Sequence, residues 1–198
     1  MDTGRCERIA PGDGALVLWP DVFAGEAPAW FAALMREVGW EQHWLTLFGR
    51  RVAAPRLSAW YAEPGCSYRY SGLGLAAQPF TPALAAIRAR IEALTGTAFN
   101  SVLLNLYRDG ADGMSWHSDD EPELGPEPLI ASLSLGATRR FLLRRRDANA
   151  SRFALELADG SLLLMEPPLQ AHWQHSVPKT RRATGARINL TWRRILPR

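Results

Sequence analysis

From Phe99 to Ile195 the chain breaks into short runs that alternate between apolar and polar residues, and few folds accommodate that pattern. The runs are Phe99 to Tyr107, Ser115 to Asp119, Leu129 to Leu135, Arg140 to Arg144, Phe153 to Leu157, Ser161 to Met165, His172 to Val177 and Arg187 to Ile195. Each is too short for a helix, and a period of two sends successive side chains to opposite faces of a strand. Turn signals stand between them, among them Asp109-Gly110-Ala111-Asp112-Gly113 and Asp159-Gly160. Many short strands joined by close turns predict a β-sandwich or jelly roll, and Asp159-Gly160 predicts a hairpin between its flanking strands.

Upstream of residue 99 the pattern changes. Residues up to Pro20 read as an irregular lead-in that ends in a short apolar strand, Ala15 to Trp19. Pro28 to Val38 sets Trp30, Phe31, Leu34, Met35 and Val38 at helical spacing, with Pro28 in the first turn. A second helix starts at Thr81 or Pro82, runs through Leu84, Ile87, Ile91 and Leu94, and closes at Gly96. Both helices are expected to buttress one sheet. Between them Gly49-Arg50-Arg51 reads as a basic turn, Leu57 to Tyr61 as a strand, and Cys66 to Gly72 alternates aromatic and polar residues. The fold class is therefore mainly β, α+β in detail, within one domain of 198 residues. No repeat or linker divides it.

Hydrophobic residues make up 47% and charged residues 22%, ordinary values for a globular protein. Two cysteines, no signal-like start and no apolar run of membrane-spanning length predict a reducing cytoplasm of bacterial type, without disulfides or a membrane. The net charge is only +3, but its distribution is uneven. Arg139, Arg140, Arg144, Arg145, Arg146 and Arg152 form one cluster, and Lys179, Arg181 and Arg182 another. Such runs are commonly solvated faces; beside a site they also suit a phosphate backbone.

The chemistry concentrates in Trp116-His117-Ser118-Asp119-Asp120-Glu121. In an extended segment His117 and Asp119, at i and i+2, point to one side. On its own this pair reads equally as a hydrogen-bonded pair on a loop, and His175 on its own reads more simply as a core histidine. The third element is Arg187-Ile188-Asn189-Leu190-Thr191-Trp192-Arg193, which puts Arg187, Asn189, Thr191 and Arg193 on one strand face. Two arginines on an inward face are costly without an anion, and a dicarboxylate would supply one. Two histidines and one carboxylate on one face of a metal form the donor set of non-haem Fe(II) oxygenases.

Residues Phe48 to Arg193 resemble the AlkB family of Fe(II)/2-oxoglutarate dioxygenases, and most of all its duplex-DNA repair branch. The match rests on Asn105-Leu106-Tyr107, His117-x-Asp119-Asp120-Glu121 and Ile130-Ala131-Ser132-Leu133-Ser134-Leu135-Gly136. It continues through Gly160-Ser161-Leu162-Leu163, His172-Trp173-Gln174-His175-Ser176-Val177-Pro178 and Arg187-x-Asn189-Leu190-Thr191-x-Arg193. The resemblance implies a double-stranded β-helix core over residues 99–198. It makes residues 1–98 an N-terminal extension with a nucleotide-recognition region. It implies iron held by His117, Asp119 and His175, and 2-oxoglutarate held by Asn105, Tyr107, Arg187, Asn189, Thr191 and Arg193. Phe48, Arg56, Tyr68, Tyr70, Ser71 and Glu121 would contact the substrate, with Leu47-Phe48-Gly49 filling the gap left by a flipped base. The implied activity is oxidative demethylation of bases such as 1-methyladenine and 3-methylcytosine by a monomer, with O2 as co-substrate and formaldehyde released. Alkylated DNA is the implied substrate and RNA the next candidate. An oxygenase acting on protein, or a non-catalytic nucleic-acid-binding module, stands as the alternative. Residues up to about Glu41 match nothing in that family.

Overall fold

The computed structural model describes residues 5–47, 49–66, 68–70, 73–75, 77–147, 152–182 and 184–196, with the backbone alone at 45, 47, 68–70 and 73–75. Two antiparallel sheets face each other. The larger takes its strands from the whole chain: β1 (Glu7–Gly12), β2 (Gly14–Trp19), β5 (Leu57–Ala62), β8 (Ser101–Tyr107), β10 (Ile130–Gly136), β13 (Leu162–Glu166) and β15 (Arg187–Arg193). Their order across the sheet is β1-β2-β13-β10-β15-β8-β5. The smaller sheet is β12-β11-β14-β9, from β9 (Met114–His117), β11 (Arg139–Arg145), β12 (Arg152–Leu157) and β14 (Trp173–Val177). Two hairpins stand apart from these sheets among the described residues: β3 (Trp44–Leu47) with β4 (Arg50–Ala53), and β6 (Tyr68–Tyr70) with β7 (Leu73–Leu75). This is the expected jelly roll with helices on one side.

Alternation along each central strand divides the interior in two. Ile188, Leu190 and Trp192 of β15 join Val102, Leu104 and Leu106 of β8 in a layer under the helices. Helix α1 (Ala27–Glu37) contributes Leu34 to that layer, and α2 (Pro82–Thr95) contributes Leu84, Ile87 and Ile91. Each of these four side chains is fully buried and stabilises the fold by about 2 kcal/mol. The Thr81 hydroxyl accepts from the Leu84 N–H at 3.2 Å to start α2, and Gly96, at φ 68°, ends it. The opposite face of the large sheet meets the small sheet through Leu103, Leu163, Phe141, Leu143, Trp173 and Val177. The functional residues lie in this second layer.

Two expectations change. The lead-in before Pro20 is a hairpin: β1 pairs with β2 and caps the edge of the large sheet. Its sequence, ERIAPG, is largely exposed and carries Pro11, which an edge strand tolerates and a central one does not. With β5, these strands bring residues from before position 99 into the jelly roll itself.

The second change concerns Asp159-Gly160, which does not close a hairpin. Strand β12 pairs with β11 in the small sheet, whereas β13 pairs with β10 and β2 in the large one. The turn therefore carries the chain from one sheet to the other. Asp159 Oδ1 accepts from the Gly136 N–H at 2.7 Å, the Gly160 N–H donates to the Ser134 carbonyl at 2.8 Å, and the Gly160 carbonyl accepts from the Phe23 N–H at 3.1 Å. Gly160 has φ 74°, and a Cβ there would stand 2.5 Å from the Ala24 nitrogen. Gly160→Ala combines left-handed strain with a backbone clash, so it is expected to destabilise the chain by about 3 kcal/mol. Urea unfolding would measure this, and a loss below about 1 kcal/mol would contradict it.

Candidate metal and co-substrate centre

The small sheet brings the two histidines together. His117 is the last residue of β9, and His175 lies directly opposite it on β14. Their ring centroids are 4.2 Å apart. His117 Nδ1 lies 2.9 Å from the Ser115 carbonyl; that contact assigns the proton to Nδ1 and leaves Nε2 free to ligate. Strand β9 ends at His117, so Asp119 stands two residues beyond it rather than on the strand. The intervening segment is pinned: the Ser118 hydroxyl donates to the Trp173 carbonyl at 2.8 Å, and the Asp119 N–H donates to Gln170 Oε1 at 2.9 Å. Asp119 Oδ1 is 3.9 Å from His117 Nε2, and Oδ2 is 3.9 Å from His175 Nε2. All three donor atoms lie within 4.8 Å of one another.

Burial prepares these groups for a cation. Burial, reinforced by the neighbouring His117, pushes the His175 imidazole down to about 3. Burial also lowers His117, against the opposing pull of Asp119. Burial pushes the Asp119 carboxyl up, but the charges of Arg193, His175 and His117 more than offset this and hold it below its ordinary range. At neutral pH the cluster is therefore two neutral imidazoles and one carboxylate, the ionisation state a divalent metal requires. The donor set, two imidazoles and one carboxylate within 4.8 Å of one another, would fit Fe(II).

Beside the cluster, sheet register aligns a polar row across four strands of the large sheet. Ser58 pairs with Asn105, Asn105 with Asn189, and Asn189 with Ser134. Asn105 Oδ1 accepts from Arg56 Nε and from the Ser58 hydroxyl, each at 3.0 Å. Asn189 Nδ2 donates to the Ser132 hydroxyl at 2.8 Å and the Leu133 carbonyl at 3.0 Å, and Thr191 donates to Asn189 Oδ1 at 3.3 Å. Arg193 Nη2 meets Asp119 Oδ1 at 2.6 Å. Asn105, Tyr107, Thr191 and Arg193 line a narrow cleft together with the three ligand residues.

Arg187 sits next to Tyr107, its partner across the strands, with its guanidinium 5.4 Å from the tyrosine ring centre. It is 1% exposed, and burial pushes it down to about 10, so it stays protonated at neutral pH. One nitrogen, Nη2, donates to the Ser134 hydroxyl at 2.8 Å. Nε and Nη1 have no hydrogen-bond partner among the described residues. A buried cation with unmatched donors is costly, and a carboxylate is the group that would satisfy it. The residues present thus fit 2-oxoglutarate as well as iron.

The comparisons agree with this geometry. The family described as the 2OG-Fe(II) oxygenase superfamily matches residues 16–193. The chain is 44% identical to "DNA oxidative demethylase ALKBH2" of Mus musculus over 76% of its own length, and 38% identical to the Bos taurus protein of that name over 96%. It is 42% identical to "Alpha-ketoglutarate-dependent dioxygenase alkB homolog 3" of Bos taurus over 87% of its length. This chain belongs to the AlkB family. It spans 66%, 78% and 63% of those three proteins' own lengths, respectively. The solved structure of OsALKBH1 shares the fold at a TM-score of 0.59 and 15% identity, covering 96% of this chain and 100% of that one.

The remaining AlkB-type positions fall unevenly. Phe48 and Ser71 lie outside the described residues, as do the side chains of Tyr68 and Tyr70, whose backbone forms β6. Leu47 pairs with Arg50 in the β3–β4 hairpin. Arg56 is buried against Asn105 rather than presented to an open nucleic-acid face. Glu121 is half-buried, two residues past Asp119, where a 3-10 turn over Pro122–Leu124 begins.

The first arginine cluster is largely engaged within the protein. Arg139 is buried and donates to the carbonyls of Asp109, Asp112 and Pro178. Arg144 holds Gln174 and lies 4.4 Å from the Trp116 ring centre. Arg145 pairs with Asp13 and Asp147, and Arg146 with Asp120. Lys179, Arg181 and Arg182 are exposed.

Sequence reasoning assigned no role to Ser132, Ser134, Ser58 or Gln170. The serine parity within Ile130-Ala131-Ser132-Leu133-Ser134-Leu135 could have flagged the first two; nothing local marks Gln170. Arg187→Met is expected to weaken 2-oxoglutarate binding about 100-fold, the loss of a charged hydrogen-bonded contact. Without co-substrate the thermal midpoint should hold or rise, because the variant removes an unsatisfied buried cation. Co-substrate titration and a thermal scan check both.

Proposed function

We propose that this protein is an oxidative demethylase of N-alkylated bases in DNA, 1-methyladenine and 3-methylcytosine among them. The observation that carries this reading is the cluster of half-buried His117 with buried Asp119 and His175, near the unmatched donors of Arg187, in a chain 38–44% identical to proteins named DNA oxidative demethylase. When bound, Fe(II) and 2-oxoglutarate supply O2-dependent oxidation of an N-alkyl carbon, whose hydroxylated product breaks down to formaldehyde and the unmodified base.

The protein's part is binding, orientation and a dry interior. His117 and His175 would hold the metal through Nε2, and Asp119 through its carboxylate, kept ionised by Arg193. Arg187, next to the cleft-lining Tyr107, would take a co-substrate carboxylate at the end of the cleft lined by Asn105, Tyr107 and Thr191, and Asn189 braces that floor by hydrogen bonds. A base in a duplex cannot reach this cleft and must leave the stack. Methylation of its pairing edge lowers the cost of extrusion. Phe48 wedges into the vacated space. That hairpin presents exposed Arg50 and Arg51, and Arg51 lies 4.9 Å from the ring centre of Trp44, which is 46% exposed. Such a surface suits phosphates and stacked bases. Tyr68, Tyr70 and Ser71 contact the flipped base. Glu121, close to the metal ligands in sequence, accepts from an exocyclic amino group or favours a cationic methylated base. Arg56 contributes from behind, through Asn105.

Oligonucleotides carrying 1-methyladenine or 3-methylcytosine test the reading. Incubation with enzyme, Fe(II) and 2-oxoglutarate should release formaldehyde in step with the restored base by mass spectrometry, and Asp119→Ala should release none. Formaldehyde from methylated RNA alone would move the assignment to RNA. Release from neither would reject nucleobase demethylation. Phe48→Ala should slow repair of duplex DNA about 10-fold while changing single-strand repair little, since only the duplex has a gap to fill. Equal losses on both substrates would remove the wedge.

A further inference from the structure

The metal ligands are held unequally. His117 and His175 are fixed by strand pairing with each other and by β11 beyond them, where Leu143 pairs with His175. Asp119 lies past the end of β9 and has no ladder partner. Its N–H, buried with it, donates instead to Gln170 Oε1 at 2.9 Å. Gln170 is 2% exposed and sits on the short helix α3 (Leu169–His172), which leads directly into the strand carrying His175. Its other amide atom, Nε2, reaches Met165 Sδ at 3.5 Å, at the end of β13 in the large sheet. That second contact orients the amide so that oxygen, not nitrogen, faces the Asp119 N–H. One side chain thus joins the segment bearing His175, the large sheet and the backbone of the third ligand. Met165 lines the cleft itself.

We propose that Gln170 is a positioning residue for the metal ligand Asp119: its side-chain oxygen stands in for the missing strand partner and sets the carboxylate before a metal arrives. Arg193 holds the same residue at its other end, through Oδ1. The two contacts divide the task. Arg193 fixes the charge and rotation of the carboxylate, and Gln170 fixes the backbone from which it projects. Groups that orient a ligand without touching the metal commonly govern affinity by 10- to 100-fold. The inference rests on the geometry of the cluster and not on the nature of the organic substrate, so it can fail or stand independently of demethylation.

Co(II) titration of the metal-stripped full chain tests it, alongside thermal unfolding of the same metal-free samples. Gln170→Met keeps volume and removes the acceptor; it is expected to bind Co(II) about 10- to 100-fold more weakly while remaining folded by circular dichroism. Gln170→Glu restores an acceptor oxygen and is expected to recover most of the loss. If Gln170→Met does not fold, Gln170→Asn, which withdraws the oxygen by one methylene, carries the same expectation of weakened cobalt binding. Cobalt affinity within twofold of the parent in the folded acceptor-lacking or acceptor-shortened variant would overturn the proposal. So would a Gln170→Glu variant that binds as weakly as Gln170→Met, since the loss would then follow from disturbed packing alone.

Discussion

The ion pair between Asp119 and Arg193 ties the two sheets together at the site. Arg193 closes β15 in the middle of the large sheet, and Asp119 follows β9 at the edge of the small one. Both are almost wholly buried, and the contact is 2.6 Å. Burying two charges costs several kcal/mol per ion, so a bridge of this kind persists only where further contacts complete it. Here His117 and His175 supply part of that environment, each 3.9 Å from one carboxylate oxygen. Without Arg193, burial would push the Asp119 carboxyl toward its neutral form, which is a poor ligand for a cation. The interdigitated side chains of the apolar layer set the spacing between the sheets, and the ion pair adds one buried polar tie across it at the site.

What the sequence revealed was local. The parity of Arg187, Asn189, Thr191 and Arg193 against Ile188, Leu190 and Trp192 predicted which face of β15 is polar, and the structure places the two sets in separate layers. Helix α2 was legible because its stop and start chemistry lies within one turn of its ends. Long-range pairing was not legible. That His117 stands across from His175, or that Ser58, Asn105, Asn189 and Ser134 share one row, follows from register between strands many residues apart. Local periodicity carries no record of it. Asp159-Gly160 shows the same limit: the dipeptide encodes a backbone that can turn with positive φ, but not whether the next strand returns to the same sheet. Arginine density misled for a related reason, because Arg139 and Arg145 are consumed by a turn and by acids from other parts of the chain.

The polar row also explains where an organic anion belongs. A polar residue inside a β-sandwich must find partners within it, and most do so in pairs: Asn105 with Arg56 and Ser58, Asn189 with Ser132, Thr191 with Asn189. These pairs hold the row in place while Asn105, Asn189 and Thr191 still line the cleft. Arg187 breaks the pattern: Nη2 donates to Ser134 and the Tyr107 side chain stands close by, but Nε and Nη1 make no hydrogen bond among the described residues. Two guanidiniums approach Tyr107, Arg187 at 5.4 Å and Arg139 at 5.6 Å from its ring centre, and of the two only Arg139 has Asp109 and Asp112 as charged neighbours. A fold that only needed to be stable would gain by replacing Arg187 with an apolar residue of similar volume. Its retention in the interior, at a depth where its charge is costly, makes sense as a site held ready for an anion that arrives from outside and is needed each time the metal works.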